Sequence, residues 1–115
     1  MFSRQINCES GFNFLAYNVG SQASGAGQIV YPVHPEIKNP FDPKEALPYS
    51  ARLMRSYYEY FKSDYLMSEL WAIALACYNW GIGNVINAVN QFGLGWRQVL
   101  PEETRRYIQI ILAES

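Results

Sequence analysis

The sequence is poor in the residues that bind metals or staple small domains. It has two cysteines, Cys8 and Cys77, and a single histidine, His34. These stand in no metal-ligand spacing, so no metal site is expected and no cofactor is implied. His34 lies in Pro32-Val33-His34-Pro35, which reads as a solvated loop. The thiols read as buried and free, with a Cys8–Cys77 disulfide as the less favoured alternative. Positive charge is not in excess either: nine Lys and Arg stand against ten Asp and Glu, for a net charge of -1. Nucleic acid is thereby excluded as the main partner, because neutralising phosphates takes a basic footprint. No apolar run approaches the ~20 residues of a membrane span. No signal peptide is visible, since Met1-Phe2-Ser3-Arg4 leads straight into mixed polar sequence.

What the chain does have is apolar and aromatic surface. Half of its 115 residues are hydrophobic and 17% are charged, the balance of a folded chain. Its length reads as one domain, 1–115, able to bury a core without staples. Aromatics are plentiful, with nine Tyr, six Phe and three Trp, and core and edge packing is the plain explanation. Most should pack inside, and some are free to stack in a cleft.

Periodicity points to helices. Residues 4–11 read as the end of a helix broken at Gly11. Residues 18–43 are rich in Gly, Ser, Asn and Pro and should be irregular; so long a loop in a compact domain is usually functional. Asp42-Pro43-Lys44-Glu45 has the form of a helix start. Pro48 leaves two readings: a short turn at 43–46 with the main helix opening at Pro48, or one helix from Pro43. From there Leu47, Ala51, Met54, Tyr58 and Phe61 form one apolar face. Residues 65–80 are apolar nearly all round, as in a buried central helix, with Gly81 and Gly83 ending it. A shorter helix follows at 83–92, with Val85, Ile86 and Val89 inward. The last begins at Pro101-Glu102-Glu103 and buries Tyr107, Ile108, Ile111 and Leu112. The class is all-α, with at most a minor hairpin.

Three local features bear on chemistry. Glu9, in Cys8-Glu9-Ser10-Gly11-Phe12, is a carboxyl among apolar neighbours, a setting that favours the protonated form a general acid needs; an exposed helix Glu is the plainer reading. Ser24-Gly25-Ala26-Gly27-Gln28 lets a backbone approach a ligand closely, or is simply a turn. It lacks the Lys and the spacing of a phosphate loop. Ala74-Leu75-Ala76-Cys77-Tyr78-Asn79-Trp80-Gly81 puts polar tips at the end of a buried helix, which suits a cleft or plain solvation.

Taken in order, these features resemble the catalytic domain of lytic transglycosylases of the SLT type, relatives of goose-type lysozyme. Glu9-Ser10-Gly11-Phe12-Asn13 resembles the Glu-Ser motif, with Ala16 at a small-residue position. Ala23 to Gln28 resembles the Gly-Ala-x-Gly-Leu-Met-Gln loop, and Phe41-Asp42-Pro43 the segment opening the next helix. Residues 74–81 resemble Ala-Leu-Ala-Ala-Tyr-Asn-Ala-Gly, and Glu103-Thr104-Arg105-Arg106-Tyr107 resembles Glu-Thr-Arg-x-Tyr. Several positions depart from the pattern. Asn18 stands where the family often has Ser, Gly25-Ala26-Gly27 replaces Gly-Leu-Met, and only eight residues precede Glu9, as in an N-terminally trimmed domain.

The resemblance implies a lysozyme-like helical domain around a buried central helix, acting on peptidoglycan glycan strands. Glu9 would be the single acid/base, with the Tyr78 hydroxyl orienting it. Gln28, Asn18, Asn79 and Tyr31 would contact substrate, although Asn79 would serve equally to hold its motif's local structure. Glu103 and Arg105 would tie the last helix to the body, and Ser10 would pack a helix and not act as nucleophile, having no His or Lys to activate it. The implied reaction breaks the MurNAc-β-1,4-GlcNAc bond and leaves 1,6-anhydromuramyl ends. A hydrolysing muramidase is the alternative. It requires a second carboxylate, for which Glu36 and Asp42 stand nearest, the first otherwise solvated and the second otherwise a cap. The non-enzyme alternative is a peptidoglycan-gripping module of a phage tail or secretion apparatus. In each case the chain acts at the cell wall, delivered by a longer chain or another assembly.

Overall fold

The computed structural model describes residues 1–30 and 33–114. It is mainly helical, with one small antiparallel sheet among the described residues. The chain forms two compact units, Met1–Arg52 and Leu53–Ser115.

The first unit opens with α1, Phe2–Ser10. Its buried residues are Gln5 and Ile6. Gly11 ends it in the left-handed region at φ 62, its N–H donating to the Asn7 carbonyl, because only glycine takes that conformation without steric cost. Three two-residue strands follow: β1 (Tyr17–Asn18), β2 (Ala23–Ser24) and β3 (Ile29–Val30), paired in that order. Tyr17 opposes Ser24 and Ala23 opposes Val30. The expected minor hairpin is therefore a three-stranded meander. Strands of two residues are too short to show alternation in a sequence.

α2, Pro43–Phe61, runs out of the first unit into the second as one helix, with Pro48 inside it. Of the two readings of Pro48, the continuous helix holds. Asp42 caps it, accepting the Lys44 N–H at 3.0 Å on Oδ1. Glu45 does not close a capping box on Asp42. Its carboxylate reaches back to the Lys38 and Asn39 N–H groups, at 2.5 and 3.2 Å, and so binds the incoming loop. The buried face is Ala46, Tyr49, Ser50, Met54, Tyr57 and Phe61, while Ala51 is exposed and Leu47 and Tyr58 are half-buried. Of the expected stripe Met54 and Phe61 are buried, and the polar Ser50 is buried where Ala51 was expected.

The second unit is built around α3, Met67–Trp80. Leu70 and every residue from Ala72 to Cys77 are buried, Ala74 completely, as its apolar circumference predicts. Leu70, Ile73 and Leu75 each contribute about 1.5–3 kcal/mol by burial. α4 (Ile82–Phe92) and α5 (Glu102–Leu112) pack on α3, and Tyr58 of α2 meets Trp71 of α3 with ring centroids 4.5 Å apart. Gly81 alone separates α3 from α4, at φ 96; Gly83, read as a second breaker, lies inside α4. In α4 Val85 and Ala88 are buried, with Ile86 and Val89 half-buried. α5 buries Thr104, Tyr107, Ile108 and Ile111, with Leu112 half-buried.

Between α4 and α5 lies a 3-10 segment, Gly93–Val99. It carries Trp96, which is fully buried and donates its indole N–H to Glu69 at 3.0 Å. Arg97 also bonds Glu69, from Nε at 2.9 Å, and Glu114, from Nη1 at 2.9 Å. One guanidinium thus joins the start of α3 to the chain just beyond α5.

Candidate active site

Glu9 sits half-buried in the last turn of α1. Its neighbour Ser10 donates its hydroxyl to the Ala26 carbonyl at 2.7 Å, with the Ile6 carbonyl at 3.4 Å. Ser10 thus ties the end of α1 to the glycine-rich loop. Gly11 and Phe12, both at positive φ, then turn the chain sharply away from the helix.

The loop itself is buried from Ala23 to Gly27. A Cβ on Gly25 would lie 1.7 Å from the Pro40 carbonyl oxygen, and Gly25 has φ +77. The close approach this glycine permits is to the chain's own backbone before α2, not to a ligand. Gln28, half-buried at φ 48, spends its side-chain N–H donors on the Gly25 and Ala16 carbonyls, at 2.9 and 3.2 Å. Asn18 is exposed, and its Oδ1 accepts the Ser21 N–H at 3.1 Å, closing the β1–β2 turn. Of these two amides, the Gln28 oxygen and the Asn18 nitrogen are the atoms outside those bonds. Ser10 and Gln28 thus both bond the glycine-rich loop, while the Asn18 side chain bonds only within its own turn. Tyr31 lies outside the described residues.

In the second unit, Tyr78 and Asn79 are half-buried in the last turn of α3. Asn79 Oδ1 accepts the Thr104 hydroxyl at 2.7 Å. This bond links the end of α3 to α5. Thr104 is buried, and it carries the tie expected of Glu103, which is exposed. Arg105 contributes more weakly, with Nη2 3.4 Å from the Arg97 carbonyl and Nη1 3.2 Å from Glu102. A threonine facing inward at helix spacing from Tyr107, Ile108 and Ile111 was the signal available for it. Trp96 and its Glu69–Arg97 partners gave no such signal, because they lie far apart in the sequence.

The cysteines are free thiols. Cys77 is buried, and desolvation pushes its thiol up to about 12. Cys8 is exposed, contrary to the buried pair expected, because it falls on the outward side of α1. Partial desolvation and the neighbouring Glu9 charge raise its thiol above the ordinary value. His34 is only half-solvated: its ring lies 5.8 Å from that of Tyr49, and Nδ1 is 3.8 Å from Glu36. Glu36 accepts the Tyr49 hydroxyl, which with its own backbone N–H and the nearby His34 holds its carboxyl below the usual range. Asp42 is engaged as the α2 cap. Among the described residues no cluster of three or more His, Cys, Asp or Glu could hold a metal ion, and no helix is long and apolar enough to cross a membrane.

Comparison with curated proteins and with solved structures returned no match. The family model of the transglycosylase SLT domain matches residues 4–94, a span that takes in Glu9, the glycine-rich loop, Tyr78 and Asn79, and the chain belongs to that family.

Proposed function

We propose that the chain is a peptidoglycan lytic transglycosylase with Glu9 as its only acid/base. The observation that carries this reading is the family match over residues 4–94, combined with the seat of Glu9 at the end of α1. The carbonyl end of a helix carries partial negative charge, which favours the protonated carboxyl that a general acid needs. The bond from Ser10 to the loop anchors the end of the helix that carries Glu9, and proton transfer depends on such positioning.

In the reaction, Glu9 protonates the oxygen bridging MurNAc and GlcNAc, and the bond from the muramyl C1 to that oxygen breaks. The substrate's own 2-acetamido group stabilises the cationic sugar. The muramyl 6-hydroxyl then bonds to C1, and its proton returns to the Glu9 carboxylate. The products are a free GlcNAc 4-hydroxyl and a 1,6-anhydromuramyl end, and no water is consumed. Tyr78 takes, by resemblance to the family alone, the role of orienting the Glu9 carboxyl. Asn18, Gln28 and Tyr31 contact the sugars. Asn79 acts at one remove, by holding the end of α3. The engagement of Asp42 as a cap and of Glu36 by Tyr49 favours this reading over a hydrolase using either as its base. Peptidoglycan is therefore the partner and the cell wall the place of action, reached as part of a longer chain or through a larger phage or secretion assembly.

Digestion of purified sacculi tests the proposal. Muropeptides lighter by one water than hydrolysis products are expected, and reducing muramyl ends would assign a hydrolase instead. Glu9→Gln keeps the side chain's shape and removes its proton. Activity should fall by at least ~100-fold, and full activity in that variant would remove Glu9 from the chemistry.

A further inference from the structure

Gln5 is the one residue of α1 whose burial the fold does not explain. It is fully buried, beside Ile6, in a helix whose other polar residues are exposed or half-buried. Its Nε2 and Oε1 have no hydrogen-bond partner among the described residues. Burying an unpaired amide lowers stability, and a Leu or Met would fill the same space without that cost. A buried polar group kept against stability points to function. Gln5 stands four residues before Glu9, and residues at this spacing lie on the same face of a helix with Cβ atoms about 5–6 Å apart.

We infer that Gln5 is a positioning residue for Glu9 in the substrate-bound protein, a role that rests on the reading of Glu9 as the acid. The terminal torsion of a glutamine is broad, so the amide turns toward the i+4 carboxyl without moving the rest of the side chain. Nε2 donates to one Glu9 oxygen and leaves the other to face the glycosidic oxygen. Once the proton has moved, the same N–H meets a full carboxylate, and a hydrogen bond to a charged acceptor is the stronger one. The bond is therefore worth more in the transition state than in the ground state. That difference appears in kcat and not in KM.

Gln5→Met keeps the length of the side chain and removes both polar atoms. On soluble glycan strands its kcat should fall at least ~10-fold with KM changed less than ~2-fold, the pattern of an interaction made only in the transition state. Its melting temperature should be unchanged or higher. A wild-type kcat in a protein of equal or greater stability would overturn the inference. Gln5→Leu is the second variant: if both unfold, the amide holds the helix in place, and the inference is again overturned. Glu9→Gln is measured beside them. If Glu9→Gln is inactive and Gln5→Met is normal, only the role of Gln5 falls. If Glu9→Gln is fully active, the acid assignment falls and takes this role with it.

Discussion

The Thr104 hydroxyl donates to Oδ1 of Asn79 across 2.7 Å, so the tip of α3 is bonded to α5 through a buried threonine. Thr104→Val keeps the shape and leaves Asn79 unpaired. It should lower stability by about 1–3 kcal/mol, read as a shift in the urea midpoint. Asn79→Ala should cost a similar amount, and the double variant should cost less than the two losses added, since the residues share one bond.

Gly25 and Gly11 both have positive φ, but they differ in surroundings. Nothing lies within 4 Å of a Cβ on Gly11, whereas one on Gly25 meets the Pro40 carbonyl. Gly11→Ala should cost about 1–2 kcal/mol, the penalty of a left-handed residue. Gly25→Ala adds overpacking to backbone strain and should cost about 2–6 kcal/mol. Thermal denaturation of the two variants ranks them directly, and equal losses would contradict the close approach to Pro40.

Ser10→Ala removes the bond from the Glu9-bearing helix to the Ala26 carbonyl. Stability should fall by about 1 kcal/mol, and most of the activity on sacculi should remain. Loss of all activity in a folded Ser10→Ala protein would give the serine a chemical role that its backbone partner does not suggest.

The two thiols should behave differently. In the folded protein, Ellman's reagent should label Cys8 rapidly and Cys77 only on unfolding, because one is exposed and the other buried. Burial pushes the folded Cys77 thiol up to about 12 from the ordinary 9.0, so its contribution to stability is complete below pH 9. That contribution is lost as pH rises from 9 toward 12, because the unfolded thiol ionises first and draws the equilibrium with it. Melting curves across this range should fall more steeply for the wild type than for Cys77→Ala.

How much was legible depended on whether a feature is local. The class, the five helical segments and the burial of α3 follow from period and composition, because an apolar circumference leaves a helix nowhere else to go. The helix end at Gly11 and the Asp42 cap were legible for the same reason, as each is decided within a few residues. The face of α2 was legible at Met54 and Phe61 but not at Ala51, because Ser50 is polar by type and buried by position. Cys8 was misread because a residue type's average burial says nothing of which side of a nine-residue helix it occupies.

Sequence alone therefore determined the helices, the breaks at Gly11 and Gly81, the net charge of -1 and the ordered motifs that carry the family. Those depend on local propensity and residue chemistry. Tertiary structure decided which groups spend their hydrogen bonds on one another. It gave Gly25 to Pro40, Ser10 to Ala26, Gln28 to its own loop and Asn79 to Thr104. It also seated Trp96 and Arg97 on Glu69, 27 and 28 residues away. No local rule predicts such pairs, because an atom's partner is set by distance in the folded chain and not along it.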